Sequence, residues 1–393
     1  MSIHSPFHFL EYFLRREPNQ FFISIIFREF ALGLVMIFEP IYLYLYFGKS
    51  ISLTLLFFAL IHGFASFLAV FGGRIMAKVG FNRAILFSHF FFFLYFLSLF
   101  SVYKSIFFIF LAIIFNVIGK TLFWPSFHTD FVRFSSKKHR ASEVANLNIA
   151  SIAPVVFSPI IGGLILSKFG YSALFATTLI VLLFSAVPLF LSKKQSEVYA
   201  DSYKNAWQRI FRKRNRKMNL SLMSCSGEMA INDYLWPLFM FVLLIKYSMI
   251  GALTSFAIAF SVLFNLYVGK ISDTKNRLKF LNIGALLTSF SWILKYFVLT
   301  PLNALLAQTI YRMSRTSASV PLRALFYDIA VAKKADADEF IIYRIIIIHL
   351  SKFFVLSILA ILFLFTNQIN LSFILAIIFS LGLMFFGKLS KVK

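Results

Sequence analysis

The sequence contains a single cysteine, Cys225, which excludes an internal disulfide and a metal site built on paired cysteines. Acidic residues are also scarce, because 15 Asp and Glu stand against 39 Lys and Arg. Charged residues of all kinds make up only 14% of the chain. A water-soluble domain needs far more polar surface than this, so the composition excludes a soluble globular protein.

Several enzyme signatures are missing. No phosphate-binding glycine loop, nucleophile elbow or zinc-binding helix motif occurs. ATP-driven pumping within this chain is therefore not expected, and we predict neither an enzyme nor a bound cofactor. The histidines His62, His89 and His349 lie in separate apolar segments, so no metal site is predicted.

Apolar residues dominate what is present. The chain is 60% hydrophobic with a mean hydropathy of +0.83, which makes lipid the expected solvent for most of it. A membrane span needs roughly 20 apolar residues. By that measure the sequence predicts twelve spans: 21–46, 51–72, 84–102, 105–127, 147–167, 172–192, 218–245, 249–269, 280–299, 301–322, 341–365 and 369–387. The predicted fold class is an all-α polytopic membrane protein.

Basic residues between the spans fix the predicted orientation. The connections on one side, together with the two chain ends, hold 29 Lys and Arg residues. The opposite side holds five, with Lys295 near the end of span 9 counted among them: Lys49, Lys104, Lys168, Lys246 and Lys295. The positive-inside rule therefore predicts an integral protein of the plasma (inner) membrane with both termini in the cytoplasm.

The chain resembles itself at an offset of 196 residues. The matching pairs are Gly73 with Gly269, Pro125 with Pro321, Lys137 with Lys333, Lys138 with Lys334, and Glu143 with Glu339. This repeat predicts two pseudo-symmetric six-helix halves, residues 1–192 and 218–393, with a working site between them near the middle of the membrane.

The linker between the halves, residues 193–217, is strongly basic. Tyr203, Trp207 and Ile210 fall on one face of a predicted helix, which is typical of an amphipathic helix lying on anionic lipid. A calmodulin-binding or nucleic-acid-binding segment has a similar pattern. A cytoplasmic linker is the simpler interpretation, and no nucleic-acid partner is predicted.

Two loops carry related motifs. After span 2 stand Gly73, Ile75, Lys78, Gly80 and Arg83, and after span 8 stand Gly269, Ile271, Ser272, Asp273 and Arg277. Both resemble the G-x-L-A-D-R-x-G-R-R loop motif of the major facilitator superfamily, although Ala77 replaces the usual Asp in the first copy. SPIIGG at 158–163 is similar to the antiporter motif of the same superfamily.

The resemblance implies roles for these residues. The loop residues would form a cytoplasmic latch, with Asp273 at a helix N-terminus and Arg277 paired with an acid of the other half. Gly162 and Gly163 would allow close helix packing, and Pro159 would bend span 5. The antiporter-like motif favours export by exchange.

Apart from Lys295 and Arg344 near span ends, which are counted with the loops, nine charged residues fall inside predicted spans, where an unpaired charge costs several kcal/mol. Eight of them lie in spans 1, 4, 7 and 10, which line the central cavity in the superfamily: Arg28, Glu29, Glu39, Lys120, Glu228, Asp233, Arg312 and Arg315. The ninth, Lys352 in span 11, is expected near an interface. Arg28 and Glu29 also have a second interpretation, in which they reach the membrane surface.

Helical spacing groups these charges with other polar residues. The predicted substrate and proton cavity consists of Glu39, Asn116, Lys120, Trp124, Glu228, Asn232, Asp233, Trp236, Gln308, Arg312 and Arg315. Alternatively, Arg312 and Arg315 pair with Glu228 or Asp233 only to hold the halves together. Acids and bases cancel in this set, so the charge of the substrate stays open.

The sequence thus predicts a secondary transporter of a small solute, acting as a monomer in the lipid bilayer. Acids within the spans predict proton coupling, with Glu228 and Asp233 ranked ahead of Glu39 because they would face the basic stripe of span 10. The alternative is a non-transporting polytopic protein, either a scaffold or an enzyme acting on a lipid-linked substrate. For the enzyme, the DADE segment with Asp336, Asp338 and Glu339 would be the metal-binding pair, although a solvated loop explains it more simply.

The charge asymmetry can be tested by cysteine labelling. In a Cys225→Ser background, a cysteine introduced by Ser390→Cys should react in intact cells only with a membrane-permeant maleimide. A control cysteine at the opposite face, Lys104→Cys, should react with the impermeant reagent as well. Reaction of the Ser390→Cys variant with the impermeant reagent would reverse the orientation.

Overall fold

The computed structural model describes residues 16–134, 154–190, 199, 202–243, 245–274, 276–332 and 337–388. Within these ranges the chain is helical, and no strand occurs. Each of the twelve predicted spans falls mainly on helix within the described residues, so the predicted fold class is confirmed.

The first half contains spans 1 to 6. Span 1 consists of helices Arg16–Val35 and Glu39–Tyr46, and spans 2, 3 and 4 are Ile51–Val79, Phe81–Ser101 and Phe107–Phe134. A 3-10 turn at Pro154–Val156 precedes the helix Ser158–Phe190, which contains spans 5 and 6.

The linker contributes the helix Tyr203–Phe211 and a 3-10 turn at Lys213–Asn215. Span 7 follows as Arg216–Ala230, a π-helical turn at Ile231–Leu235, and Trp236–Val242. Spans 8 to 11 are Tyr247–Thr274, Arg277–Tyr296, Pro301–Ala332 and Ala337–Leu362. Span 12 is Leu371–Gly382, continued by a 3-10 segment at Leu383–Lys388.

Glycine and proline decide where the spans break. The backbone of Gly170 has φ 79° and ψ −178°, which are not helical angles, and this residue divides span 5 from span 6. Span 1 restarts at Glu39 with Pro40 in its first turn, where a missing N–H loses no helical hydrogen bond. Pro159 occupies the same kind of position after Ser158, so the predicted bend within span 5 at Pro159 is wrong.

Six helices of the described residues are long and apolar enough to cross a membrane on their own. They are Ile51–Val79, Phe81–Ser101, Phe107–His128, Pro154–Phe190, Tyr247–Gly269 and Glu339–Leu362. Spans 1 and 7 are broken and spans 9 and 10 carry more polar residues, as expected of helices that face a polar interior, whereas span 12 is apolar but short.

The halves meet along two helix pairs, span 2 with span 11 and span 5 with span 8. In the second pair a Cβ on Gly163 would lie 2.6 Å from the carbonyl oxygen of Tyr247. On the neighbouring face, a Cβ on Gly162 would overlap the carbonyl of Leu34 in span 1. These two glycines therefore permit spans 1, 5 and 8 to approach closely.

The halves touch at both ends of the bundle. At the end away from the chain termini, which we call the outer end, the rings of Phe38 and Tyr247 are 6.2 Å apart and those of Tyr44 and Phe241 are 6.3 Å apart. At the opposite end the Tyr327 hydroxyl is 2.8 Å from Nδ1 of His128, which joins span 10 to span 4.

The linker helix lies on protein and not only on lipid. Trp207 stacks on Phe67 of span 2 with 5.2 Å between ring centroids, and Arg209 pairs with Glu339 of span 11 at 3.0 Å. Phe67 lies on the outward face of span 2, so it offers the linker an aromatic surface. Lys204 and Arg212 are exposed and stay available to lipid headgroups.

Candidate functional site

The predicted cavity residues divide into two groups, one in each half. In the first half Glu39, Asn116 and Lys120 gather around Tyr95 of span 3. In the second half a larger group surrounds Lys295 of span 9: Glu228, Asn232, Asp233, Trp236, Arg312 and Arg315. Trp124 and Gln308 lie outside these two groups.

Glu39 lies at the break in span 1 and is 8% exposed. Its Oε1 accepts a hydrogen bond from the Tyr95 hydroxyl, a neutral donor. The side chain of Asn116 also interacts with that hydroxyl. Lys120 of span 4 is the cation that interacts electrostatically with Glu39, at a distance longer than an ion pair.

Glu228 is completely buried in span 7 and has two partners. Its Oε1 accepts from Nε1 of Trp292 at 2.9 Å, and its Oε2 lies 2.8 Å from Nη1 of Arg315. The angle of the second contact is poor for a hydrogen bond, so it is an ion pair in character. Nη2 of Arg315 donates to the carbonyl oxygen of Cys225 at 3.2 Å, which ties span 10 to span 7.

Lys295 does not lie in an outer loop, as its place near the end of span 9 suggests. It is wholly buried, and its Nζ lies 3.6 Å from the ring centroid of Tyr311, 4.1 Å from that of Trp292 and 4.4 Å from that of Trp236. Nζ also donates to Oδ1 of Asn232 at 2.9 Å. Ring faces attract ammonium groups, which replaces part of the lost hydration.

Asp233 lies in the π-helical turn of span 7, a backbone feature that is frequent at functional sites. Its Oδ2 is 3.2 Å from Nζ of Lys352, so the expected place of Lys352 near an interface is wrong. The carboxylate also interacts electrostatically with Lys120, Lys295 and Arg312. Asp233 is thus the acid on which cations from spans 4, 9, 10 and 11 converge.

Two histidines join the halves at the middle of the bundle. Nδ1 of His62 in span 2 is 2.8 Å from Nδ1 of His349 in span 11, and Nε2 of His62 is 2.9 Å from the Tyr234 hydroxyl in span 7. The sequence separation of 287 residues hid this pair, which no periodicity reveals. In the described part of the chain no group of three or more potential metal ligands occurs.

Arg28 and Glu29 form an ion pair within span 1. Arg28 is 3% exposed and its guanidinium lies 3.5 Å above the ring centroid of Phe123, so Arg28 does not reach the membrane surface. The neighbouring Trp124 stacks on His128, near the contact between His128 and Tyr327 at the end opposite the outer end. Gln308 is buried, and its Oε1 has no hydrogen-bond partner.

The predicted latch residues form local contacts. Gly80 has φ 87° and separates span 2 from span 3. Lys78 lies in the last turn of span 2, and Arg83 is exposed in span 3. Gly73 packs against Ile342 of span 11, and Gly269 is buried in span 8. Both glycines lie in helix, not in a loop.

Asp273 and Arg277 differ from their expected positions. Asp273 lies in the last turn of the span 8 helix, with its side chain outside the described residues, and the N-cap of span 9 is Asn276. The expected place of Asp273 at a helix N-terminus is therefore wrong. Arg277 donates to Asp328 at 2.6 Å, a residue of the same half, so this contact does not join the halves.

Comparison with known proteins places this arrangement in a class. The sequence model of the Major Facilitator Superfamily matches residues 21–337, and the chain belongs to that superfamily. The protein is therefore an integral membrane protein of a secondary-transporter family. No curated protein sequence matches the chain.

Solved structures agree on the fold. The E. coli fucose:proton symporter FucP is 11% identical with a TM-score of 0.67, and the match covers 96% of this chain and 100% of that one. A structure of FucP in the outward conformation gives 11% identity, the same coverage and a TM-score of 0.65. At this identity the likeness concerns the fold alone.

The Glu228–Arg315 pair can be tested by unfolding. Arg315→Gln should lower the free energy of unfolding by about 3–5 kcal/mol, because it leaves a wholly buried carboxylate without its cation. The double variant Glu228→Gln with Arg315→Gln should regain most of that loss, since the new amide oxygen can still accept from Trp292. Arg212→Gln, on the exposed end of the linker helix, is the control. Equal losses in the single and double variants, measured by denaturation of the purified chain, would contradict the pairing.

Proposed function

We propose that the protein is a proton-coupled transporter that moves a small solute by alternating access, and that Glu39 carries the proton. A coupling acid must be charged in one part of the cycle and neutral in another. A cation at ion-pair distance favours the charged form of a carboxylate. Glu228 and Asp233 both have such a cation, in Arg315 and Lys352.

Glu39 is in a different situation. Its hydrogen-bond donor is the neutral phenol of Tyr95, and among the described residues no cation lies within ion-pair distance of it. It can therefore accept a proton without first breaking an ion pair. This geometry reverses the order that the sequence suggested, and it is the observation that carries the proposal.

Contacts between the halves support alternating access. The aromatic pairs at the outer end and the His128–Tyr327 hydrogen bond at the other end bring the halves into contact at both ends of the bundle. Alternating access requires such contacts to break and re-form at one end at a time. At the centre His62 of span 2 makes two hydrogen bonds to the second half, with His349 and with the Tyr234 hydroxyl, and each is weaker than a buried ion pair.

Export by exchange stays a prediction of the SPIIGG motif. Gly162 and Gly163 serve the close packing of spans 1, 5 and 8, which any direction of transport needs. The plasma-membrane location, the cytoplasmic termini and the monomeric state are proposed on the same sequence grounds as before.

Of the two rival functions, the membrane enzyme would use the DADE segment as its metal-binding pair, whereas the scaffold needs no such site. Asp336 and the side chain of Asp338 lie outside the described residues, whereas Glu339 pairs with Arg209 of the linker. An acid with a guanidinium partner is less suited to hold a metal ion. Charged residues collected between the halves favour transport over both alternatives.

Proton coupling can be tested in proteoliposomes. With radiolabelled sugars, carboxylates and amino acids as probes, Glu39→Gln should abolish accumulation driven by a pH gradient while sparing exchange of labelled for unlabelled solute. Glu339→Gln, which removes an acid far from the centre, should keep gradient-driven accumulation. If Glu39→Gln accumulates solute in response to the gradient as the parent chain does, Glu39 is not the coupling group.

A further inference from the structure

The middle of the bundle holds more positive than negative charge. Three ion pairs account for six of the charged groups among the described residues there: Arg28 with Glu29, Arg315 with Glu228, and Lys352 with Asp233. Within the described part of the chain, the acid Glu39 has no ion-pair partner. In the same part, three cations have no carboxylate within ion-pair distance: Lys120, Lys295 and Arg312.

Acids act on these three cations only from beyond ion-pair distance among the described residues: Glu39 on Lys120, Glu228 on Lys295, and Asp233 on all three. Glu228 and Asp233 are already in contact with other cations, Arg315 and Lys352. Charges without a counter-ion are expensive in a membrane interior, and an unpaired cation there marks a binding function. This excess of positive charge would attract an anion from outside the chain.

Lys295 adds positive electrostatic potential to the site but does not itself contact a bound anion. Its ammonium is enclosed by the rings of Trp236, Trp292 and Tyr311 and bonded to Asn232, so no further ligand reaches it. Lys120 and Arg312 are only half-buried. Nε of Arg312 is buried without a hydrogen-bond partner, so this guanidinium has unused donor capacity.

Lys120 and Arg312 belong to different halves. Lys120 lies in span 4 and Arg312 in span 10, the spans that correspond to each other in the 196-residue repeat. A guanidinium presents a planar set of donors that matches a carboxylate or a phosphate, and an ammonium adds a point charge. One oxyanion between them would be shared by both halves and would favour their closure around it.

We propose that the transported solute is an anion whose carboxylate or phosphate group binds between Lys120 and Arg312. This inference rests on the proposed transport function.

The inference also predicts whether proton binding and anion binding favour or oppose each other. A proton on Glu39 removes the negative charge nearest to Lys120, so proton binding and anion binding reinforce each other. Mutual reinforcement is the linkage of a symporter, and it opposes the exchange that the SPIIGG motif favours.

The test is a binding measurement that does not depend on transport. Full-length protein in detergent is titrated with matched solutes: three- to six-carbon carboxylates with their neutral amides, sugar phosphates with their parent sugars, and inorganic phosphate. Thermal stabilisation and tryptophan fluorescence report binding, since Trp236 and Trp292 surround the neighbouring Lys295. The carboxylate and phosphate arms identify the head group.

We expect one anionic class to stabilise the protein while its neutral counterparts do not. Arg312→Gln and Lys120→Gln should each weaken that binding by roughly 10- to 100-fold. The exposed residues changed in Arg212→Gln and Lys104→Gln serve as matched controls and should leave it unchanged. Binding should also tighten as pH falls in the parent chain and lose this dependence in Glu39→Gln.

Three results would overturn the inference. They are equal binding of the neutral counterparts, no anion-specific response in any member of the panel, or anion binding that survives both Arg312→Gln and Lys120→Gln. A failure of proton coupling is distinguishable, because anion binding would then persist with no change between Glu39→Gln and the parent chain at any pH.

Discussion

A charge in a membrane interior needs a partner, and this requirement organises the centre of the protein. Each partner in the second half comes from a different span. Glu228 of span 7 holds Arg315 of span 10 and the indole of Trp292 in span 9. Asp233, also in span 7, holds Lys352 of span 11. Electrostatic pairing therefore fixes how these four spans pack, in an environment where apolar contacts alone do not discriminate between helices.

The two halves use charge differently. In the second half ion pairs and the aromatic enclosure of Lys295 produce a tightly determined cluster. In the first half Glu39 has only a phenol as its direct partner, and Lys120 stays half-exposed. The half with fewer fixed pairs is the one suited to change its protonation. Between the halves, the His62–His349 hydrogen bond requires one nitrogen to donate and the other to accept, so it is sensitive to the same protons.

The architecture could be predicted from the sequence because it follows from repeated, local sequence patterns. Apolar length predicted the spans and the loop motifs predicted the family, and the helices and the family match confirm both. The two halves that the 196-residue offset indicates stay a prediction. The concentration of charge in spans 1, 4, 7 and 10 was also visible. These signals each lie within one helix or one loop.

The side chains that contact the buried charged residues were harder to predict, because they come from distant parts of the chain. Lys295 lies so near the end of span 9 that it reads as a loop residue, and only the rings of spans 7, 9 and 10 show that it is enclosed. Tyr95 carries no charge and was overlooked as the partner of Glu39. Asp273 was expected to cap a helix, but the span 8 helix extends past it and Asn276 takes that role.

The central claim, that the halves move against each other around a shared charged site, is tested most directly by distances between them. Spin labels in a Cys225→Ser background at Lys104→Cys and Asn303→Cys report the outer end, and labels at Lys78→Cys and Lys279→Cys report the end near the termini. Lowering the pH in lipid nanodiscs should change the two distances in opposite directions. Distances that stay fixed at both ends, or that change in the same direction, would contradict alternating access.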